Sequence, residues 1–267
     1  MTQPFRGEDP VVKQSSNEDE RKKGGGMYME QITMDEFAAE IKRGRIVVLP
    51  IGATEEHGPH LPLGTDTIQI ESVVEGALKE KKFLVAPTVR YGICSSTRNF
   101  PGTLTISCEL LERLVSELLL ELERNAVKKI IMISGHAGAD HMAAMRVAAK
   151  KFVRNSCIKV VVASIADLVL SSKENSVLSK FPAGDKHAGF IETSCMLYLN
   201  SDLVRKNKIP EKSIPQFPDP LIISDAEKYF PSGVMGDPTG SSADDGRAII
   251  ALAVKSFVKL IAWFEKQ

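Results

Sequence analysis

Arg45-Ile-Val-Val-Leu-Pro-Ile51 is a continuous apolar run rich in β-branched residues, and Gly52 ends it. Its length and composition are those of a strand buried on both faces. Further runs share this character: Phe83-Leu-Val-Ala-Pro87, Lys129-Ile-Ile-Met-Ile-Ser134 before Gly135, and Ile158-Lys-Val-Val-Val-Ala163. Helical periodicity lies between them, at Thr67 to Lys81, Cys108 to Asn125 and Ala139 to Asn155. Strands alternating with helices predict βαβ units, hence an α/β chain with a mostly parallel central sheet and helices on both faces.

Outward from this centre, Thr33 or Asp35 is placed to cap a short helix from Met34 to Arg43 that presents Phe37, Ala38 and Ile41 on one face. Apolar stretches at Cys195 to Leu199 and Ala243 to Lys266 predict two later helices. Residues 205–240 are rich in proline and predict a wrapping loop or edge hairpin. Residues 1–29 are expected to be a disordered tail, because 1–26 are charged, aperiodic and end in Gly24-Gly25-Gly26. Met27 follows directly and is an alternative translation start. Residues 30–267 are expected to form one domain.

Composition narrows the function classes. The 267 residues hold 34 Lys+Arg against 34 Asp+Glu, so no basic excess exists to neutralise nucleic-acid phosphates. No apolar run approaches the roughly 20 residues of a membrane helix, and the N-terminus lacks the apolar centre of a secretory signal. Cys94, Cys108, Cys157 and Cys195 have no CxxC spacing. They predict reduced thiols in a cytoplasmic protein, not a disulfide frame or a zinc knuckle.

The chemistry collects around histidine. All 5 histidines fall in three short segments dense in Gly, Asp or Glu, and two of these segments directly follow a predicted strand. In open α/β sheets, ligands bind beyond the carboxyl ends of the strands. The first segment is Gly52-Ala-Thr-Glu55-Glu56-His57-Gly58-Pro59-His60-Leu-Pro-Leu-Gly-Thr-Asp66. Glu55 and His57 are two apart, so an extended backbone points them the same way. Mixed carboxylate and imidazole donors suit Zn, Mn or Fe. A plainer role for Asp66 is capping a helix that starts at Thr67. The second segment is Ser134-Gly135-His136-Ala-Gly138-Ala-Asp140-His141. His136 is expected as a ligand, Asp140 as a helix cap and His141 as a surface residue. The third, Asp185-Lys-His187-Ala-Gly189-Phe-Ile-Glu192-Thr-Ser194, supplies a further ligand and a spare acid/base at His187 and Glu192.

These donors suffice for two metals with Asp66 bridging. A metal pair lowers the pKa of a shared water and polarises a carbonyl oxygen. The reaction class that follows is hydrolysis of an amide-type C–N bond or a phosphoester. No Walker motif, GxGxxG or GxSxG is present, and neither Cys94 nor Cys108 has the context of a nucleophile.

On these segments the chain resembles the creatininase (creatinine amidohydrolase) family, from about Thr33 to the C-terminus. The most specific match is residues 52–66. Phe100-Pro-Gly-Thr-Leu-Thr105, Gly135-His136, His187-Ala-Gly-Phe-Ile-Glu192-Thr-Ser194 and Gly236-Asp-Pro238 support it. The resemblance implies a three-layer α/β/α sandwich, two divalent metal ions per chain, a homo-oligomer that is frequently a hexamer, and a small-molecule amide substrate. Glu55, His57, Asp66 and His136 match metal ligands, and His187 matches a catalytic histidine that moves protons to or from the leaving nitrogen.

The departures are equally specific. Some relatives carry a ligating Glu where this chain has Gly138, which makes Glu192 the expected fifth ligand. The usual Glu-His pair before Phe-Pro-Gly-Thr is Ser96-Thr97. The tryptophans around creatinine are absent: Trp263 is the only one, and the corresponding segments read Ile165-Ala-Asp167 and Ala183-Gly-Asp185. The expectation is therefore an amidohydrolase for a small cyclic amide or formamide other than creatinine. The alternatives are a formylaminopyrimidine nucleotide deformylase, a phosphoesterase and a catalytically retired binding protein. The family also holds a peptidase that trims a modified peptide. Arg90, Arg98 and Lys186 are candidates for an anionic substrate group, although solvated surface charge is the commoner role of such residues.

Overall fold

A computed structural model describes residues 27–172, 175–218 and 220–267. In chain order the strands are β1 (Met27–Tyr28), β2 (Val47–Ile51), β3 (Leu84–Val85), β4 (Lys129–Ser134) and β5 (Lys159–Ser164). The helices are α1 (Met34–Lys42), α2 (Thr65–Leu78), α3 (Cys108–Arg124), α4 (Ala139–Val153), α5 (Ile165–Leu170), α6 (Asn175–Leu178), α7 (Phe190–Leu199) and α8 (Ala243–Glu265). One parallel sheet runs in the order β1-β3-β2-β4-β5.

Alternation along the central strands builds two cores. Val48, Ile131 and Ile133 pack with α2, α5, α7 and α8. Val47, Leu49, Ile51, Ile130 and Met132 pack on the other face with α3 and α4, and α1 lies against that side. Both faces are covered, so β2 and β4 are apolar at nearly every position, as a parallel sheet requires. This is the expected three-layer α/β/α sandwich.

Several boundaries differ from the sequence expectation, each for a local reason. Met27 and Tyr28 were expected in the tail, yet they pair with Leu84 and Val85 as an edge strand. The rest of the expected tail lies outside the described residues. The helix expected from Thr67 begins at Thr65 with Gly64 as its N-cap, so Asp66 is inside the first turn and caps nothing. The helix expected at Cys195 begins at Phe190, because Asp185 accepts hydrogen bonds from the Phe190 and Ile191 amides at 2.8 and 3.0 Å. Glu192 is thereby fixed in a first helical turn. Thr33 caps α1 as expected, in a reciprocal capping box with Glu36.

The proline-rich stretch folds back on the third histidine segment. Met235 exchanges backbone hydrogen bonds with His187, and Gly236 exchanges them with Ser213. α7 meets α8 with almost no space between backbones: any Cβ at Gly246 would collide with the Ser194 carbonyl oxygen. Among the described residues no helix is long and apolar enough to cross a membrane.

Candidate metal centre

β2 and β4 end side by side, and Gly135 donates to the Ile51 carbonyl at 2.8 Å. The loops leaving these two strand ends carry the first two histidine segments. The first loop folds back on itself through Glu55 N to Leu63 O at 3.0 Å and returns to the start of α2. There the Asp66 carboxylate, 2% exposed, lies between two imidazoles.

On one side, His136 Nδ1 is 3.0 Å from Glu55 Oε2 and 3.2 Å from Asp66 Oδ2. Its other nitrogen donates to the Ile93 carbonyl at 2.9 Å, which fixes the ring. On the other side, His57 Nε2 is 3.3 Å from Asp66 Oδ1 and 3.7 Å from Glu192 Oε1. His57 Nδ1 donates to the Glu55 carbonyl at 3.1 Å. Each imidazole is thus held by a backbone carbonyl on one nitrogen and presents the other to carboxylates. Histidine ligands of metals are oriented in this way.

Glu55 Oε2, His57 Nε2 and Asp66 Oδ2 are buried and make no hydrogen bond. Leaving a buried polar atom unsatisfied costs about 1–3 kcal/mol, more where charge is involved, so a convergent set of three points to a missing cation. His57, Asp66 and Glu192 also satisfy the spacing of a metal site, and so do Glu55, Cys94 and His136. The electrostatics agree. Burial pushes the Glu55 carboxyl up, but the His136 ring brings it down to about 2. Burial pushes His57 and His136 down, and the facing carboxylates outweigh it and raise both well above the ordinary histidine value. The pocket favours positive charge at both imidazole positions.

His187 packs against His57 with ring centroids 4.4 Å apart and the rings tilted by 40°. Its Nε2 donates to the Glu56 carbonyl at 2.9 Å and lies 3.3 Å from Glu56 Oε1. Glu56 in turn accepts from the Gly58 amide at 2.7 Å, and Gly233, at φ +69, leaves room for its carboxylate. Ala188 adopts φ +50, a strained left-handed conformation for a residue with a Cβ. Its amide then reaches Glu192 Oε2 at 2.5 Å.

The structure thus brings together all the residues singled out as ligands: Glu55, His57, Asp66, His136 and Glu192, with His187 beside them. It corrects the reading of two neighbours. His141 is fully buried, not on the surface. Its Nδ1 accepts from the Ile93 amide at 3.2 Å and its Nε2 donates to Ser134 Oγ at 3.1 Å. Burial, then the nearby His136, lowers it to about 3, so it is a neutral strut under Ile93 and His136. Asp140 does not cap α4, whose N-cap is Gly138; its carboxylate accepts from Ser95 Oγ at 2.6 Å.

Three supporting residues carried no sequence signal for the roles they play. Thr97 donates through Oγ1 to Glu55 Oε1, at the position where relatives have an ionisable residue. His60 is buried and contacts Thr193 Oγ1 at 2.8 Å, tying the first loop to α7 next to Glu192. Glu56 orients His187. Pairings of this kind, between residues 42 to 133 positions apart, are invisible to local periodicity.

A cavity of about 260 Å³ opens onto this cluster, lined by Glu55, Cys94, Thr97, His136, His187 and Glu192, with Lys186 and Met235 on its wall. No tryptophan lines it. Of the three candidate cations only Lys186 reaches it, while Arg90 is exposed and pairs with Glu71 at 2.8 Å. Burial pushes the Cys94 thiol up, and the adjacent Glu55 and Asp66 carboxylates push it further. It is therefore no nucleophile.

The family model for creatininase, described as creatinine amidohydrolase, matches residues 30–261. The chain belongs to the creatininase family. Within that family it is 32% identical over 224 residues to the mycofactocin precursor peptide peptidase of Mycolicibacterium smegmatis, covering 77% of this chain and 80% of that protein. It is 26% identical to the creatinine amidohydrolase of Pseudomonas putida, over 88% of this chain and 96% of that one. The crystal structure of a creatinine amidohydrolase superposes with a TM-score of 0.82 at 24% identity, covering 90% of this chain and 98% of that chain. Structures of a manganese creatininase and of a variant of zinc–zinc type share the fold, each with a TM-score of 0.81. The chain is thus a creatininase-family hydrolase with a cluster of residues suited to metal.

Proposed function

We propose that this chain is a dinuclear metal-dependent amidohydrolase that cleaves the C–N bond of a small cyclic amide or formamide. One observation carries the reading. The buried Asp66 carboxylate turns one oxygen toward Glu55 and His136 and the other toward His57 and Glu192. Glu55 and His136 would hold one ion and His57 and Glu192 the other, with Asp66 available to both. Glu192 supplies the donor that Gly138 lacks. Zn, Mn or Fe fits this mixed nitrogen and oxygen set. Such a pair of ions supplies Lewis acidity at a carbonyl oxygen and lowers the pKa of water.

The chain's own residues do the rest. The cavity would receive the scissile amide beside Glu55, His136 and His187. His187, held by Glu56, carries the proton that the departing nitrogen needs. The cavity has no tryptophan on its walls, which supports a substrate other than creatinine. The 32% identity to a precursor peptide peptidase supports a second reading, in which the amide is a peptide bond. In this view residues 30–267 act as one domain, in the cytoplasm and as a homo-oligomer.

Elemental analysis of the purified, unchelated protein tests the reading. Close to two transition-metal ions per chain is the expected result, followed by turnover of a cyclic amide or formamide in a substrate panel. Turnover of short peptides alone would replace the substrate class. No bound metal after reconstitution with Zn, Mn or Fe would overturn the hydrolase mechanism and leave a retired binding protein. A finer check is Thr97→Val, which keeps the shape but removes the hydrogen bond to Glu55. Metal affinity is expected to fall about 10–100-fold, as for other partners of metal-ligating groups. Unchanged affinity in a competition titration would show that Thr97 does not orient Glu55.

A further inference from the structure

Cys94 lies in a stretch, Ile93 to Thr97, that touches both donors of the Glu55 and His136 half. Ile93, just before it, accepts from His136 Nε2 at 2.9 Å, and Thr97, just after it, donates to Glu55. The Cys94 amide is pinned to Thr105 Oγ1 at 2.9 Å. The residue is 1% exposed and lines the cavity. Its sulfur and donor atoms of Glu55 and His136 all lie within 4.8 Å of one another. Glu55 Oε2, in the same cluster, is buried without a hydrogen bond. That spacing is on the scale of one ion with bonds of about 2.3 Å to sulfur and 2.0–2.1 Å to nitrogen.

We propose that Cys94 is a thiolate ligand of the ion held by Glu55 and His136, and that it biases this half of the centre toward zinc, cobalt or iron and against manganese. A soft sulfur donor favours those ions, whereas oxygen donors suit manganese. On binding, the S–H proton leaves to solvent and a sulfur–metal bond takes its place. This inference rests on the metal-centre reading above, and its test separates the two.

The experiment uses protein stripped of metal and reconstituted with cobalt(II), with bound cobalt counted by elemental analysis and the absorption spectrum recorded. Wild type should show an intense near-ultraviolet thiolate-to-cobalt charge-transfer band beside weak visible bands. C94S should keep its cobalt and lose the intense band. The double variant C108S/C157S, altered only at surface thiols, should keep it. In competition, C94S should also take up manganese at a higher ratio to zinc than wild type. Cobalt bound to wild type without a charge-transfer band overturns the role of Cys94 and leaves the metal centre standing, and this arm needs no variant to fold. A band that persists in C94S overturns it too. No cobalt bound to wild type overturns both readings.

Discussion

Replacing Asp66 with alanine is expected to remove both metal ions and hydrolysis together, while α2 stays folded. Asp66 turns its two oxygens to different imidazoles, with His57 Nε2 at 3.3 Å and His136 Nδ1 at 3.2 Å. Without it, His57 and Glu192 are left as one imidazole and one carboxylate, and Glu55 and His136 keep only the proposed Cys94 beside them, so neither half retains the carboxylate the two ions would share. The helix does not need the side chain: Gly64 is its N-cap, and Thr65 Oγ1 donates to the Pro62 carbonyl at 2.7 Å. A ligand at 100 times its dissociation constant stabilises the native state by about 2.7 kcal/mol. Thermal unfolding of wild type should therefore rise on adding metal, and that of the variant should not. Elemental analysis decides the case. A variant with full metal content would mean that Asp66 does not bridge. A variant that keeps one ion would mean that it serves only one half.

Much of this architecture is legible in the sequence because the governing patterns are local. Arg45 to Ile51 and Lys129 to Ser134 announce buried parallel strands by their unbroken apolar character. The glycines that end them announce where loops must leave the sheet. Histidines placed in those loops mark the ligand-binding end of the fold. What was hidden depends on partners distant in sequence. β1 consists of Met27 and Tyr28, too short to carry a period, and exists because Leu84 and Val85 offer an open edge. His141 looked like a surface residue because one helical turn does not reveal which face meets the sheet. Its burial follows from Ile93 and Ser134, which approach from two other segments. The start of α7 was misplaced because its cap, Asp185, lies five residues before Phe190 and reaches over a glycine. Glu56 was only the neighbour of a ligand until folding brought it to His187, 131 positions away.

His187→Ala is expected to keep both metals and lower kcat by about 10²–10⁴-fold, the usual contribution of a positioned acid or base. His187 makes its hydrogen bonds to Glu56, and the centre retains its proposed ligands without it. Its ring nevertheless packs against His57 and has a nitrogen within 4.8 Å of donor atoms of Glu55 and His57, close enough to serve an amide held there. Burial and the neighbouring His57 push its pKa down. The hydrogen bond to Glu56, then the Glu55 and Glu192 carboxylates, outweigh them and raise it above the ordinary histidine value. The protonated ring is the form that donates to a leaving nitrogen, so kcat should fall as pH rises through the pKa of His187. That alkaline limb should vanish in His187→Ala. In Glu56→Gln, which weakens the hydrogen bond to His187, it should move to lower pH with metal content unchanged. Loss of an ion from His187→Ala, seen by elemental analysis, would instead make this histidine a ligand. An unchanged alkaline limb would assign the titration to another group.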